Sequence, residues 1–261
     1  MTKKILINLI KDYSYYLNGN LSKKNMIKKL NKSNINNYDL VIYGSNLELF
    51  IYPKKVPIYI RKMMSIPKNK INKIIGILLS DGWITKNKNG NSRIMFLQSF
   101  KNFKFFMLVY NNLSCYCFHY PFVNKIYIKG KFYYNIKLVT KSLPCFNYYY
   151  DLFYLNNKKI ITEKLYDYIN WESLAYWIMG DGSYTGGGVT LNTQGFNLKE
   201  QILLINILII KLNLKCTIHK SRKLYVIYIS AKSIKKNLDK LSPYFDKSML
   251  YKVQGNKKSL Y

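Results

Sequence analysis

Two aspartates are the residues of this chain best placed to do chemistry. Asp81 and Asp181 stand one hundred residues apart, and each is followed by glycine and preceded by an apolar run. Ile71, Ile74, Ile75, Leu78 and Leu79 fall at the i, i+3, i+4, i+7, i+8 spacing of an amphipathic helix that Asp81-Gly82 would end. Trp171, Leu174, Ala175 and Ile178 repeat that spacing before Asp181-Gly182, with Asn170 as a candidate N-cap. Helices pack closely only where small residues let the backbones approach, and Gly76, Ser80, Ala175 and Gly180 can supply such a face. Two helices packed this way would end side by side and bring both carboxylates to one place. Like charges there repel, so a bound cation is the natural resolution. Mg²⁺ takes carboxylate, carbonyl, water and phosphate oxygens, and a centre of that kind suits metal-assisted phosphodiester hydrolysis.

The bulk composition names the partner class. Among 261 residues, 42 Lys and Arg face 12 Asp and Glu, a formal charge of +30 that far exceeds what solubility requires and implies a polyanion. Nearly half the residues are hydrophobic, enough for a substantial core. The four cysteines include no C-x-x-C pair, so neither a zinc ribbon nor a disulfide framework has support. Cys115, Cys117 and His119 alternate and would share one face of a strand, where burial explains the spacing better than a metal does. No apolar run is long enough for a membrane span. Lys, Asn, Ile and Tyr dominate while Arg occurs only at 61, 93 and 222, a bias expected of an AT-rich organellar genome. Met1 to Lys29 carries Asp12 and no Arg, unlike an import segment, so the chain reads as a mitochondrial product made inside the organelle.

The elements that must position the acids also recur. After each Asp-Gly comes a β-like stretch, 95–100 and 190–196, then a helical stretch, 101–113 and 198–212. Hairpin candidates follow, 124–140 around Gly130 and 215–230 around Ser221-Arg222. Each half closes with a further helix and a short lysine-bearing segment. The expected division is a Lys/Asn-rich extension over 1–68, repeats over 69–168 and 169–254, and a tail over 255–261. Gln98 and Gln194, at the ends of corresponding strands, are candidates to hydrogen-bond metal-bound water.

The nonapeptides 74–82 and 174–182 resemble two copies of the LAGLIDADG motif, and together in so basic a chain they identify it as similar to the single-chain, intron-encoded LAGLIDADG homing endonucleases. The resemblance spans roughly residues 70 to 254; Tyr43 to Leu47 also resembles a stretch upstream of the first motif in organellar members. It implies an α+β fold of two pseudo-symmetric helix-strand-strand-helix-strand-strand-helix repeats forming a β-saddle over DNA, with the motif helices at the seam. It implies a monomer that makes a double-strand break at a long, near-asymmetric duplex site to promote intron mobility. Mg²⁺ would be the cofactor, replaceable by Mn²⁺, with Ca²⁺ bound but not supporting cleavage. Beside Asp81 and Asp181, the carbonyls of Ser80 and Gly180 would be metal ligands, and Lys159 and Lys252 would each lie near one attacking water. Leu79 and Met179 replace the acid usual at the sixth motif position, which leaves the metal-bearing eighth position intact. Strand ribbons would enter the major groove with Lys86, Lys88, Arg93, Lys129, Lys131, Lys137, Lys220, Arg222 and Lys223 on DNA. The rival reading is an intron maturase whose partner is intron RNA; retention of both acids favours the nuclease, because RNA binding alone places no demand on them.

Overall fold

The structure, a computed structural model, describes residues 58–255 apart from 89, 118, 129, 222 and 223. Most of the expected N-terminal extension, the Tyr43–Leu47 stretch, Lys129, Arg222, Lys223 and nearly all of the tail therefore lie outside the described residues. The short helix α1 (Ile58–Met63) leads into Met64, buried in the core, and the Tyr116 hydroxyl donates to the Ser65 carbonyl at 2.7 Å. Residues just before position 69 are thus packed into the first half.

Helix α2 (Lys68–Leu79) starts after Pro67, whose fixed φ suits a helix entrance, and buries every residue from Ile74 to Leu79. The sheet β1 (Gly82–Lys86), β2 (Ser92–Ser99), β3 (Phe122–Ile128), β4 (Lys131–Val139) follows, with α3 (Phe103–Leu113) between β2 and β3. Its strand order is β1-β2-β4-β3, antiparallel throughout. Alternation sends Ile94, Phe96 and Gln98 inward, where Phe96 stacks at 5.9 Å on Phe106 of α3. Helix α4 (Asn147–Phe153), a small hairpin of β5 (Tyr154–Leu155) and β6 (Lys158–Lys159), and α5 (Leu165–Tyr168) close the half. Asn156 and Asn157, at φ 51° and 62°, form the hairpin's turn, a conformation asparagine tolerates better than most residues.

The second half repeats the order. Helix α6 (Trp171–Asp181) opens with a capping box, Ser173 N donating to Asn170 Oδ1 at 3.0 Å and Asn170 N to Ser173 Oγ at 2.8 Å. Strands β7 (Gly182–Thr185), β8 (Gly188–Leu191), β9 (Cys216–Ser221) and β10 (Leu224–Ile229) flank α7 (Leu198–Leu212) and pair in the order β7-β8-β10-β9, the same topology as the first sheet. Helix α7 carries its own capping box, and its Gln201 amide reaches the carbonyls of Thr193, Phe196 and Tyr225, tying strand and loop to the helix. Short helices α8 (Ala231–Lys236), α9 (Leu238–Leu241) and α10 (Tyr251–Gln254) complete the half. Among the described residues no helix is long and apolar enough to cross a membrane.

The halves meet along α2 and α6. A methyl group built on Gly76 would collide with the Ser173 carbonyl oxygen and lie 2.6 Å from Tyr176 Cβ, so the backbones touch where the sequence places glycine. Ser173 and Tyr176, rather than Ala175, form the surface opposite Gly76. Lys73 reaches Glu172 across the seam at 3.8 Å.

Two expectations change. The first helix stops at Leu79, one residue before Ser80, whereas the second runs through Asp181. Cys115 lies in a 3-10 turn rather than a strand, and Cys117 makes an isolated bridge to Thr140, so the Cys115, Cys117 and His119 alternation has no strand behind it.

Candidate active site at the helix seam

The seam ends at the two acids. A methyl group on Gly180 would sit 2.5 Å from Ser80 Cβ and 3.1 Å from Asp81 Oδ2, so the last turn of α6 rests directly on the residues that carry the first acid. The Ser80 hydroxyl donates to the carbonyls of Gly76 at 3.0 Å and Ile77 at 3.2 Å, which turns it back onto its own helix. Asp81 accepts a short hydrogen bond from Gln98, itself positioned by Asn102, whose amide donates to Gln98 Oε1 at 3.0 Å. Gln98 therefore holds the first carboxylate itself, from the inward face of β2.

The second acid is supported differently. The backbone register places Gly82 opposite Phe96 and Gly182 opposite Leu191, so the position matching Gln98 is Thr193, not Gln194. Gln194 sits in the turn after β8. Its pairing with Gln98 by local resemblance was off by one residue, and in a strand one residue reverses the face. The group facing Asp181 is Asn192, which donates to the Asp181 carbonyl from its backbone at 3.2 Å and its side-chain amide at 2.8 Å. The only sequence signal for Asn192 is its place directly across from Asp181 once the register is known. An open cleft of about 500 Å³ at this end is lined by Gly180, Asp181, Asn192, Tyr251 and Lys252.

Both lysines reach the seam. Lys159 Nζ donates to the Gly82 carbonyl at 3.2 Å and the Ser80 carbonyl at 3.5 Å, and Lys252 Nζ to the Met179 and Gly180 carbonyls at 2.7 Å each. Burial raises both carboxylates, Asp181 to about 7 with the Asp81 charge adding to it, while Lys159 and Lys252 oppose the rise. The ammoniums are pulled the other way by the same burial, Lys159 down to about 8. Two acids and two ammoniums thus share one partly dehydrated place, each lowering the other's cost of burial.

The donor set fits a hard divalent cation. The Asp181 carboxylate has no hydrogen bond to any described residue, and two helix-end carbonyls, of Ser80 and Gly180, already collect positive charge from the lysines. The described residues hold no cluster of three His, Cys, Asp or Glu, so two carboxylates with carbonyl, water and phosphate oxygens are what the seam offers. That mixture suits Mg²⁺, which keeps its waters, better than a soft metal.

The candidate DNA contacts divide by face. Side-chain alternation puts Arg93, Lys131 and Lys137 on the face of the first sheet turned away from its helices, Arg93 donating to Thr85 at 3.2 Å and Lys137 over the Trp83 ring at 5.4 Å. Lys88 is exposed between β1 and β2. Lys86 points the other way, 3.6 Å from Asp151 of α4 and over Tyr150, and Lys220 shares the helix-side alternation of Cys216 and Ile218. Neither of these two lysines lies on an open sheet face, because Lys86 is three residues from Trp83 and Lys220 three from Thr217, odd offsets in a period of two.

Residues 71–236 match the family model of the LAGLIDADG DNA endonucleases. The chain is 38% identical over 120 residues to intron-encoded endonuclease ai4 of Dictyostelium discoideum, covering 45% of this chain and 76% of that protein. It is 30% identical over 198 residues to cytochrome b mRNA maturase bI2 of Debaryomyces hansenii, covering 73% and 75%. Among solved structures, the homing endonuclease I-WcaI bound to its DNA recognition sequence is similar at TM-score 0.73 and 28% identity, over 83% of this chain and all of that one.

Proposed function

Because this chain belongs to the LAGLIDADG DNA endonuclease family, we propose that its site-specific endonuclease activity is a Mg²⁺-dependent double-strand cut made at the end of the α2–α6 seam. The observation that carries this reading is the convergence of Asp81, Asp181, Lys159 and Lys252 on one helix junction between two open sheets. A divalent cation bound there supplies Lewis-acid activation of the phosphodiester and of water. Asp81 and Asp181, with the carbonyls of Ser80 and Gly180, are the residues that would hold it. Gln98 orients the Asp81 carboxylate, and Asn192 fixes the backbone that carries Asp181. Lys159 and Lys252, anchored to carbonyls beside the acids, place positive charge where the phosphoryl oxygens gain negative charge. The sheets hold the duplex through phosphates and base edges, with Arg93, Lys131 and Lys137 on the first sheet, Lys88 between β1 and β2, and Lys129, Arg222 and Lys223 as further candidate contacts. The protein acts as a monomer, since both acids come from one chain, in the mitochondrion of the cell that encodes it.

A second reading, binding of intron RNA in splicing, is favoured by the likeness to the Debaryomyces maturase and is compatible with cleavage. The test is incubation with duplex DNA of the intronless host gene in Mg²⁺, Mn²⁺, Ca²⁺ or chelator, followed by mapping of the ends. Cleavage at one position on each strand in Mg²⁺ and Mn²⁺, with binding alone in Ca²⁺, is the expected result. Specific binding to the intron transcript with no DNA cut in any metal would leave the maturase reading standing in its place.

A further inference from the structure

The two open faces differ in what their polar groups are doing. On the second sheet Thr185, Thr190, Thr217 and His219 are bonded in pairs. Thr190 meets Thr185 at 3.2 Å, Thr217 meets His219 Nε2 at 3.0 Å, and the His219 ring stacks at 4.6 Å on Tyr228. None of the described residues of that face is Lys or Arg. On the first sheet Asn124 and Asn135 lie directly opposite each other across β3 and β4, on the same face as Lys131 and Lys137. Neither side-chain amide is bonded to another described residue, and Asn124 is exposed. Apolar side chains flank the pair in the same register, Phe122 on one side and Ile126 with Tyr133 on the other, all three exposed.

That arrangement is chemically specific. A side-chain amide offers a donor and an acceptor side by side, matching N7 and N6–H₂ of adenine in the major groove, while apolar neighbours suit the thymine methyl. A two-stranded ribbon fits that groove. Resting on the endonuclease reading above, we propose that Asn124 and Asn135 are specificity-determining residues that read A·T pairs in the half-site under the first sheet, and that this half-site is the more stringently recognised. On the second sheet, Thr217 and His219 would have to give up hydrogen bonds to each other before meeting a base, which weakens the net gain from any one contact.

The test is cleavage selection from a randomised duplex pool by wild type, Asn124→Ala, Asn135→Ala and the pair Thr217→Ala with His219→Ala, with sequencing of the cut products. The expected result is that each asparagine variant loses about tenfold to a hundredfold of adenine preference at one or two positions on one side of the cut, leaving the remaining positions unchanged. The threonine and histidine variant should relax the other side, and less. Retained adenine preference in both asparagine variants, or loss spread evenly over both sides, overturns the assignment while leaving the endonuclease reading intact. A wild-type enzyme that enriches no sequence overturns both. Each variant's folding is verified by its thermal midpoint, which the exposed Asn124 and the half-buried Asn135, neither bonded to another described residue, should leave nearly in place.

Discussion

Lys159 rides on a two-residue hairpin strand and Lys252 on a four-residue helix, yet each ammonium ends on carbonyls at the close of its own half's seam helix. Around the acids the halves differ again, since a glutamine braces the Asp81 carboxylate whereas an asparagine braces the Asp181 backbone. The two halves share the position of the charges but not the scaffolding that delivers them. Electrostatics explains this: an ammonium needs only to arrive near the carboxylates with its protons satisfied, and several backbones can deliver it.

If the acids are equivalent in function despite unequal support, Asp81→Asn and Asp181→Asn should each abolish the double-strand cut, lowering the single-turnover rate by about a thousandfold or more while Ca²⁺-dependent binding survives. Rapid cutting by either variant would break the equivalence. The lysines come next. Lys159→Met and Lys252→Met should each slow one strand by roughly a hundredfold, so nicked circles accumulate on a plasmid substrate, with the slowed strand different for the two variants. The same strand slowed in both would show that the two ammoniums serve one centre. At the seam, Gly76→Ala should cost about 1–3 kcal/mol by denaturant melting, as overpacking does, and Gly180→Ala should cost as much and also impair cleavage because its methyl lies against Asp81. For the sheets, affinity plotted against salt on logarithmic axes should lose about 0.9 of slope for each of Arg93, Lys131 and Lys137 neutralised, if each meets one phosphate. Lys86→Met should change that slope by nothing measurable and stability by under about 1 kcal/mol, since it faces an exposed Asp151.

Much of this was legible because the repeat restricts the choices. The seam helices, the Asn170 cap, α7 over 198–212 and both ribbon hairpins follow from helical periodicity, capping chemistry and turn residues, all encoded within a few positions of one another. Legibility failed where the answer depends on pairing between distant strands. Gln194 for Thr193, the missed Asn192, and the helix-side facing of Lys86 and Lys220 all turn on register, which a single residue inverts. The hairpin behind Lys159 rests on two left-handed asparagines, a signal too short to outweigh the helical run before it.

The glycines at the seam also bear on how relatives of this chain could exchange parts. A crossover between residues 155 and 170 would pass on a whole sheet with its reading surface, leaving the recipient's other sheet untouched. Such a hybrid could assemble only if the incoming helix brought hydrogen or little more where Gly180 meets Ser80, because any larger group would separate the helices and shift one acid against the other. The sheet faces proposed to read DNA would therefore be open to exchange, whereas the close contact at Gly180 and Ser80 would limit which helices could serve as partners.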